Sequence, residues 1–382
     1  MGKYIRRLLN IDTGYSSFLW GARQTGKSSW IKHNFGPEEI ILIDMLQTDV
    51  FAEYASRPSL LRERFLDTKK LIVIDEIQKV PALLDEVHWM IENKNITFLL
   101  TGSSARKLRR GHANLLAGRA LRYNLLPFSC MEVGEIDLES ILVSGMLPPH
   151  FLSDKPTDLI RSYIADYLKE EIAQEAQIQK IPQFSDFLRV AALTSGELLN
   201  YNNVARETGV SSKIVRSYFD ILESTMLGFR IPSWRSSKTR RLVMADKFYL
   251  FDVGISNYLS RRQPKQGTPE FGKAFEHFIL MELRVYKYYK NPELDITYWR
   301  TSTGYEVDFI LGEKQIALEI KSGKLVHDIH LKSLRALKED GEIKNLIVIS
   351  QEKYPREVDS IKIIPWKMFL EMLWAGEFGI QP

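Results

Sequence analysis

The residues from Gly21 to Ser28, Gly-Ala-Arg-Gln-Thr-Gly-Lys-Ser, satisfy G-x-x-x-x-G-K-[ST] in full. That spacing holds phosphates. Glycines let the backbone curl until successive N–H groups converge on an anion, and the following helix adds its positive N-terminal end. The expected phosphate-binding set is Gly21, Ala22, Arg23, Gln24, Thr25, Gly26, Lys27, Ser28 and Ser29, with Lys27 bridging the outer phosphates and the Ser28 hydroxyl ligating Mg²⁺. Asp75 and Glu76 follow the apolar run Leu71-Ile72-Val73-Ile74. At the end of a buried strand, Asp75 would hold the Mg²⁺ through water, and Glu76 would act as general base on the attacking water. No Asn-Lys-x-Asp guanine signature occurs, so the expected nucleotide is ATP. The run that ends in Thr101-Gly102-Ser103-Ser104 would place a polar side chain between these acids and the γ-phosphate.

Residues 101–123 carry Arg106, Lys107, Arg109, Arg110, Arg119 and Arg122 without an acid. Arg119, in Leu116-Ala117-Gly118-Arg119, is the candidate for sensing phosphate from a neighbouring subunit, which implies a homo-oligomer. A solvated basic face or a nucleic-acid contact is the competing reading.

A second constellation lies downstream. Asp308, in Tyr305-Glu306-Val307-Asp308-Phe309, precedes Glu319-Ile320-Lys321 by one short turn at Gly312. This is similar to the PD-(D/E)xK nuclease pattern. Residues i and i+2 of a strand share a face, so Glu319 and Lys321 point the same way. Asp308 and Glu319 would hold a second Mg²⁺ or Mn²⁺ through oxygen, with Glu276 from the preceding helix joining them. Lys321 would position water or neutralise developing charge. Ordinary turn-flanking acids are the alternative, and a degenerate domain that only binds is another.

A third feature is basic. Lys213 and Arg216 lie about one turn apart on a candidate recognition helix. Arg230, Arg235, Lys238, Arg240 and Arg241 follow with no acid between 230 and 241, and Trp234 and serines interleave. A wing beside such a helix grips DNA phosphates this way. A winged-helix domain used for protein contact or as an ATPase lid is the other reading.

These residues need elements to position them. In residues 1–145, short runs without alternation, Phe18–Trp20, Ile40–Asp44, Leu71–Asp75 and Ile96–Leu100, read as parallel strands buried on both faces. Helices over 27–34 and 81–93 fall between them, the doubly wound pattern. Residues 146–240 read as helical: a long helix over 158–179 ended by Pro182, then 184–194, 201–209 and 211–223, the last two a helix-turn-helix. Residues 241–382 return to mixed α/β. Here a helix over 271–290 precedes strands over 296–300, 305–311 and 315–321, a helix over 325–339, and strands over 345–350 and 361–364. The stretch 261–269 reads as a connector.

Composition sets the class. The 382 residues, 45% hydrophobic and 26% charged, fit a globular chain of two or three domains and exclude collagen, disorder and disulfide scaffolds. Cys130 is the one cysteine, so neither an intrachain disulfide nor a four-cysteine zinc site can form. With no apolar leader and no bilayer-length run, the expected location is cytoplasmic, away from membranes. The net charge of +4 permits an acidic polymer as partner without requiring one.

Together these motifs resemble the bacterial and archaeal AAA+-type ATPases of the AAA_14 plus DUF4143 architecture. Gly21–Ser28, Leu71–Gln78 and Leu100–Ser104 carry the resemblance, with Leu116–Ala120, Leu125–Ser129, Val215–Phe219 and Asp252–Gly254. It spans nearly the whole chain. It implies an α/β fold class: a P-loop NTPase parallel sheet, a helical and winged-helix segment, and a C-terminal mixed α/β nuclease-like domain. It also implies ATP binding, and no defined biological role.

Overall fold

The computed structural model describes residues 4–104, 116–171, 181–234, 240–313, 315–341 and 343–380. Arg106, Lys107, Arg109, Arg110, Arg235, Lys238 and the end of the helix expected over 158–179 lie outside the described residues. The chain divides into two compact units. One comprises Met1–Phe128 with Leu147–Pro149 and Asp220–Leu227, and the other Ser129–Met146, His150–Phe219 and Gly228–Pro382.

The first unit is built on β1 (Ser17–Trp20), α1 (Lys27–Asn34), β2 (Ile40–Asp44), α2 (Thr48–Ser56), α3 (Leu60–Phe65), β3 (Leu71–Asp75), α4 (Leu83–Lys94), β4 (Phe98–Gly102) and β5 (Leu121–Asn124). The strands form one parallel sheet in the order β2-β3-β4-β1-β5. β4 therefore lies between the strand before the glycine loop and the strand ending in Asp75. Helices cover the sheet, which is why its strands read as unbroken apolar runs. Phe18, Ile72, Ile74, Val87, Met90 and Phe98 share one core. β4 begins two residues later than its apolar run suggests. Asn95 adopts φ 53 to close α4, and Ile96 N still bonds back to Met90 O at 3.5 Å. This left-handed C-cap consumes the residues that were expected to start the strand.

In the second unit α5 (Cys130–Val133) and α6 (Leu138–Ser144) lead to α7 (Pro156–Ser162). The long α-helix expected here is not continuous: a π-helical stretch, Tyr163–Glu171, takes over from α7. Wider turns accommodate the inward-facing rings of Tyr163 and Tyr167, whose centroids lie 5.1 Å apart. Pro182 opens α8 (Ile181–Leu193), where a missing N–H costs nothing. Next come α9 (Tyr201–Thr208), Gly209 at φ 67, and α10 (Ser212–Ser224), whose residues from Asp220 onward belong to the first unit. The antiparallel pair β6 (Gly228–Ile231) and β7 (Lys247–Leu250) follows. Phe219 packs between Phe187 of α8 and Phe248 of β7 at 4.9 and 4.7 Å.

After α11 (Val253–Ser260), the 22-residue α12 (Pro269–Lys290) precedes a mixed sheet. Its strands are β8 (Ile296–Arg300), β9 (Glu306–Leu311), β10 (Ile316–Ile320), β11 (Asn345–Ser350), β12 (Arg356–Val358) and β13 (Ile361–Pro365), in the order β12-β13-β11-β10-β9-β8. β8, β9 and β10 pair antiparallel, and β10, β11 and β13 parallel. The helix expected over 325–339 is a 3-10 turn, Asp328–Leu331, then α13 (Lys332–Asp340). Among the described residues no helix is long and apolar enough to cross a membrane.

Candidate nucleotide site and carboxylate cluster

The glycine loop joins β1 to α1, as its motif requires. Gly26 stands at the helix N-cap with φ 96, and Gln24 also has positive φ, 68. Gly21 is fixed by crowding: a Cβ there would lie 2.6 Å from both Leu125 O and Thr25 Oγ1. The loop is tied from outside by buried Arg7, which donates to Thr25 O at 2.9 Å and Leu126 O at 2.6 Å. No motif or spacing marked Arg7. Arg23, Gln24, Ser28 and Ser29 are exposed, whereas Gly21, Ala22, Thr25 and Lys27 are buried.

Lys27 donates to two loop carbonyls, Gly21 O at 2.8 Å and Ala22 O at 3.4 Å. Burial lowers its pKa from the ordinary lysine value, against the opposing charges of Glu76 and Asp75. Ser28 Oγ donates to Asp75 Oδ2 at 2.6 Å. Thr101 Oγ1 donates to Asp75 Oδ1 and accepts from Glu76 N at 3.1 Å. β4 thus inserts the expected polar side chain beside the acids. Glu76 has φ 60, a left-handed backbone uncommon for glutamate. Its carboxylate accepts from Gln78 Nε2, and from Ser103 Oγ at 3.4 Å. Gln78, which had no assigned role, orients the expected base. The converging Ser28 hydroxyl and Asp75 carboxylate form an all-oxygen donor pair, which fits a hard cation such as Mg²⁺. Arg119 departs from expectation. Its guanidinium pairs with Glu92 of α4 in the same unit, at the surface.

The second unit brings Glu276, Asp308, Glu319 and Lys321 together, and adds residues the motif did not include. β7 contributes buried Lys247 and Tyr249, two positions apart on one face, and β9 contributes Glu306 beside Asp308 on its own face. Lys247 Nζ lies 2.6 Å from Glu306 Oε1 and 3.9 Å from Glu276 Oε1. Tyr249 OH donates to Glu276 Oε1 at 2.6 Å. Ile320 N donates to Asp308 Oδ2 at 2.7 Å, and Lys321 pairs with Glu319 at 2.5 Å. Arg300 holds Glu306 at 3.1 Å.

Electrostatics follow from that crowding. Burial, then the charge of Asp308, pushes Glu276 up to about 7. Burial also raises Asp308, and it raises Glu319 well above the carboxylate range. Burial alone would depress Lys247, but Glu276, Glu306 and Asp308 outweigh it and the net shift is upward. Lys321 shifts upward likewise, through Glu319 and Asp308. The expected metal triad is corrected in one respect. Among the described residues no group of three His, Cys, Asp or Glu is arranged to hold a metal. Glu276 is turned to Tyr249 and Lys247, and Glu319 to Lys321. Glu319 Oε2 is nevertheless buried without a hydrogen-bond partner.

The basic surface changes more. Lys213 and Arg216 are exposed on α10, and the Arg216 guanidinium stacks 4.5 Å over Tyr201. Arg240 pairs with Glu339 at 2.9 Å and covers Tyr305. Trp234 is 7% exposed and belongs to the core under the mixed sheet, so it does not interleave with surface cations. Of the described cations between 230 and 241, Arg241 is exposed and Arg230 and Arg240 are half-buried.

Family models match three stretches: an AAA domain over residues 15–134, a domain of unknown function (DUF8612) over 135–266, and a domain of unknown function (DUF4143) over 271–369. The chain combines an AAA domain with a DUF4143 domain. The AAA domain gives its segment nucleotide-binding, ATPase-type character, and it contains the glycine loop, Asp75, Glu76 and Thr101. The DUF4143 domain contains Glu276, Glu306, Asp308, Glu319 and Lys321, while Lys247 and Tyr249 come from the preceding matched stretch. Two Methanocaldococcus jannaschii proteins are similar along most of their length. Uncharacterized protein MJ1544 is 22% identical over 406 residues, covering 92% of this chain and 87% of that protein. Uncharacterized protein MJ1637 is 22% identical over 393 residues, covering 89% and 78%. Among solved structures, C. elegans PCH-2 matches at 18% identity with a TM-score of 0.21, over 56% of this chain and 62% of that one. The chain thus spans less than two thirds of that structure's length.

Proposed function

We propose that the protein is an Mg²⁺-dependent ATP-binding and ATP-hydrolysing protein that couples its nucleotide state to DNA engagement. The observation that carries this is the convergence of Ser28 and Asp75, 2.6 Å apart, beside a loop whose buried lysine bonds only to carbonyls. The backbone N–H groups of 21–29 and Lys27 bind the phosphates. Ser28 and Asp75 hold Mg²⁺, which neutralises phosphate oxygens when bound. Glu76, oriented by Gln78, takes the proton of the attacking water as its oxygen bonds to the γ-phosphorus and the bridging bond to ADP breaks. Arg119 would exchange Glu92 for the phosphate of a second copy, which makes a homo-oligomer the active form. We place the working division at 1–145, 146–240 and 241–382, in the cytoplasm, with α9, α10 and the β6–β7 pair as a winged helix that presents Lys213 and Arg216 to DNA. The test is nucleotide titration of wild type and Lys27→Ala, followed by turnover of Glu76→Gln; unchanged affinity in the first variant defeats the assignment.

A second reading is favoured by one observation. Lys247 is 3% exposed among Glu276, Glu306 and Asp308, so the cluster carries its own counter-charge. On that reading the DUF4143 domain is catalytically inactive, and ATP gates a surface for a protein partner. Plasmid and linear DNA with Mg²⁺ or Mn²⁺, with and without ATP, separate the two. Cleavage that Asp308→Ala abolishes defeats the inactive-domain reading, and intact DNA beside a working ATPase supports it.

A further inference from the structure

A sizeable opening in the second unit is lined by residues outside the carboxylate cluster. It is a cleft of about 900 Å³ bounded by α6, α7, α8, α11 and the segment that follows α11. Its size falls within the roughly 300–1,000 Å³ of small-ligand sites. Four cations line it, Arg189, Arg261, Arg262 and Lys265, against one acid, Asp186. Arg262 donates to Leu193 O at 2.6 Å. Arg189, Arg261 and Lys265 have no ion-pair partner among the described residues. Nor are the arginine side chains needed to cap α11, because the backbone N–H groups of Arg261 and Arg262 already satisfy Tyr258 O and Asn257 O. Arg261 stands at φ 56, a left-handed backbone rarely spent on arginine. The floor is apolar: Ile160 and Ile164 are buried beneath, with the Tyr258 ring beside them.

This lining suits a ligand that alternates anionic groups with flat apolar faces. Inorganic polyphosphate would leave the apolar floor unused, and a duplex keeps its base faces stacked inside. Unpaired nucleotides offer both. We propose that the cleft binds a short single-stranded nucleic-acid segment. The chain also links its rim to the carboxylate cluster. Lys265 is followed by Gln266, whose Nε2 donates to Ser322 O at 3.4 Å, and Ser322 directly follows Lys321. A strand leaving past Lys265 is thereby led toward Glu319 and Lys321. This delivery step rests on reading the cluster as a phosphodiester site; binding in the cleft does not.

The test is fluorescence anisotropy of a short fluorescein-labelled oligothymidylate with the full chain in EDTA, which separates binding from cleavage. The variants are Arg189→Glu with Lys265→Glu, and the milder Lys265→Ala at an exposed position. Expected are a roughly tenfold or greater loss in the double reversal and a shallower salt dependence in both variants, with ATP affinity unchanged as the sign of an intact fold. Wild type should prefer the single strand to its duplex. Unchanged affinity in the double reversal, or tighter duplex binding, overturns the proposal. If no DNA is cleaved under any condition while the reversal still abolishes binding, the cleft stands and only the phosphodiester reading of the cluster falls.

Discussion

The glycine loop and the carboxylate cluster each bury a lysine near acids, yet the two lysines shift in opposite directions. Lys27 bonds to backbone carbonyls, its neighbours Asp75 and Glu76 are held by the neutral donors of Ser28, Thr101 and Gln78, and burial lowers its pKa. Lys247 bonds directly to Glu306, and the surrounding acids raise its pKa. The difference lies in the partner. A buried ammonium held only by carbonyls is still short of an anion, so the loop is prepared for phosphate. An ammonium already facing carboxylates is satisfied, so the cluster is balanced without a ligand.

Four substitutions break or sharpen that contrast. Glu76→Gln should lower ATP turnover on the order of 10²–10⁴-fold, the usual value of a positioned base, while ATP affinity is retained. Single-turnover hydrolysis measures it, and a near-normal rate removes Glu76 from the role. Lys247→Met leaves acids buried without their partner and should cost about 3–5 kcal/mol in urea denaturation. Lys27→Met removes a charge that burial already disfavours, and it should change stability by less than about 1 kcal/mol. Equal losses at the two sites would dissolve the contrast. Lys27→Ala should weaken ATP roughly 10- to 100-fold by calorimetry, the scale of one charge-assisted hydrogen bond.

A pH effect of intermediate size concerns Glu282, another buried acid, which is partnered only by neutral donors. It accepts from Ser129 Oγ at 2.6 Å and Cys130 N at 2.9 Å, and burial pushes it up to about 7. Its folded pKa therefore exceeds the unfolded value near 4.3, and the folded state holds the extra proton between them. The contribution to stability is full below the unfolded value and is lost as pH rises through about 7. It is on the order of 3 kcal/mol. Because Glu276 titrates in the same range, thermal melts of Glu282→Gln are compared with wild type across pH. The variant should show the flatter profile; parallel profiles would show that Glu282 is ionised throughout.

What was legible in the chain was local. The glycine loop, its strand and its helix occupy consecutive residues, and α1 runs over 27–34 as its motif required. The E-x-K pair was legible because strand periodicity alone puts Glu319 and Lys321 on one face. What sheet pairing and helix packing create over long separations was not legible. Lys247 reaches Glu276 from another element, and nothing in its own neighbourhood announces a buried ammonium. Arg7 clamps the loop from near the N-terminus, again without a local pattern. Trp234 looked like part of a basic surface because its neighbours are polar, but its indole is held in the core under the mixed sheet. Arg119 has no acid near it in sequence, yet Glu92 meets it across the fold.

The central claim is that nucleotide state at the loop governs DNA engagement. The most direct measurement is DNA affinity of full-length Glu76→Gln by anisotropy, with ATP and then with ADP, beside steady-state ATPase of wild type with and without DNA. ATP and ADP should give different DNA affinities, and DNA should change turnover, since coupling between two sites is reciprocal. Identical affinities in both nucleotide states, with turnover indifferent to DNA, would contradict it.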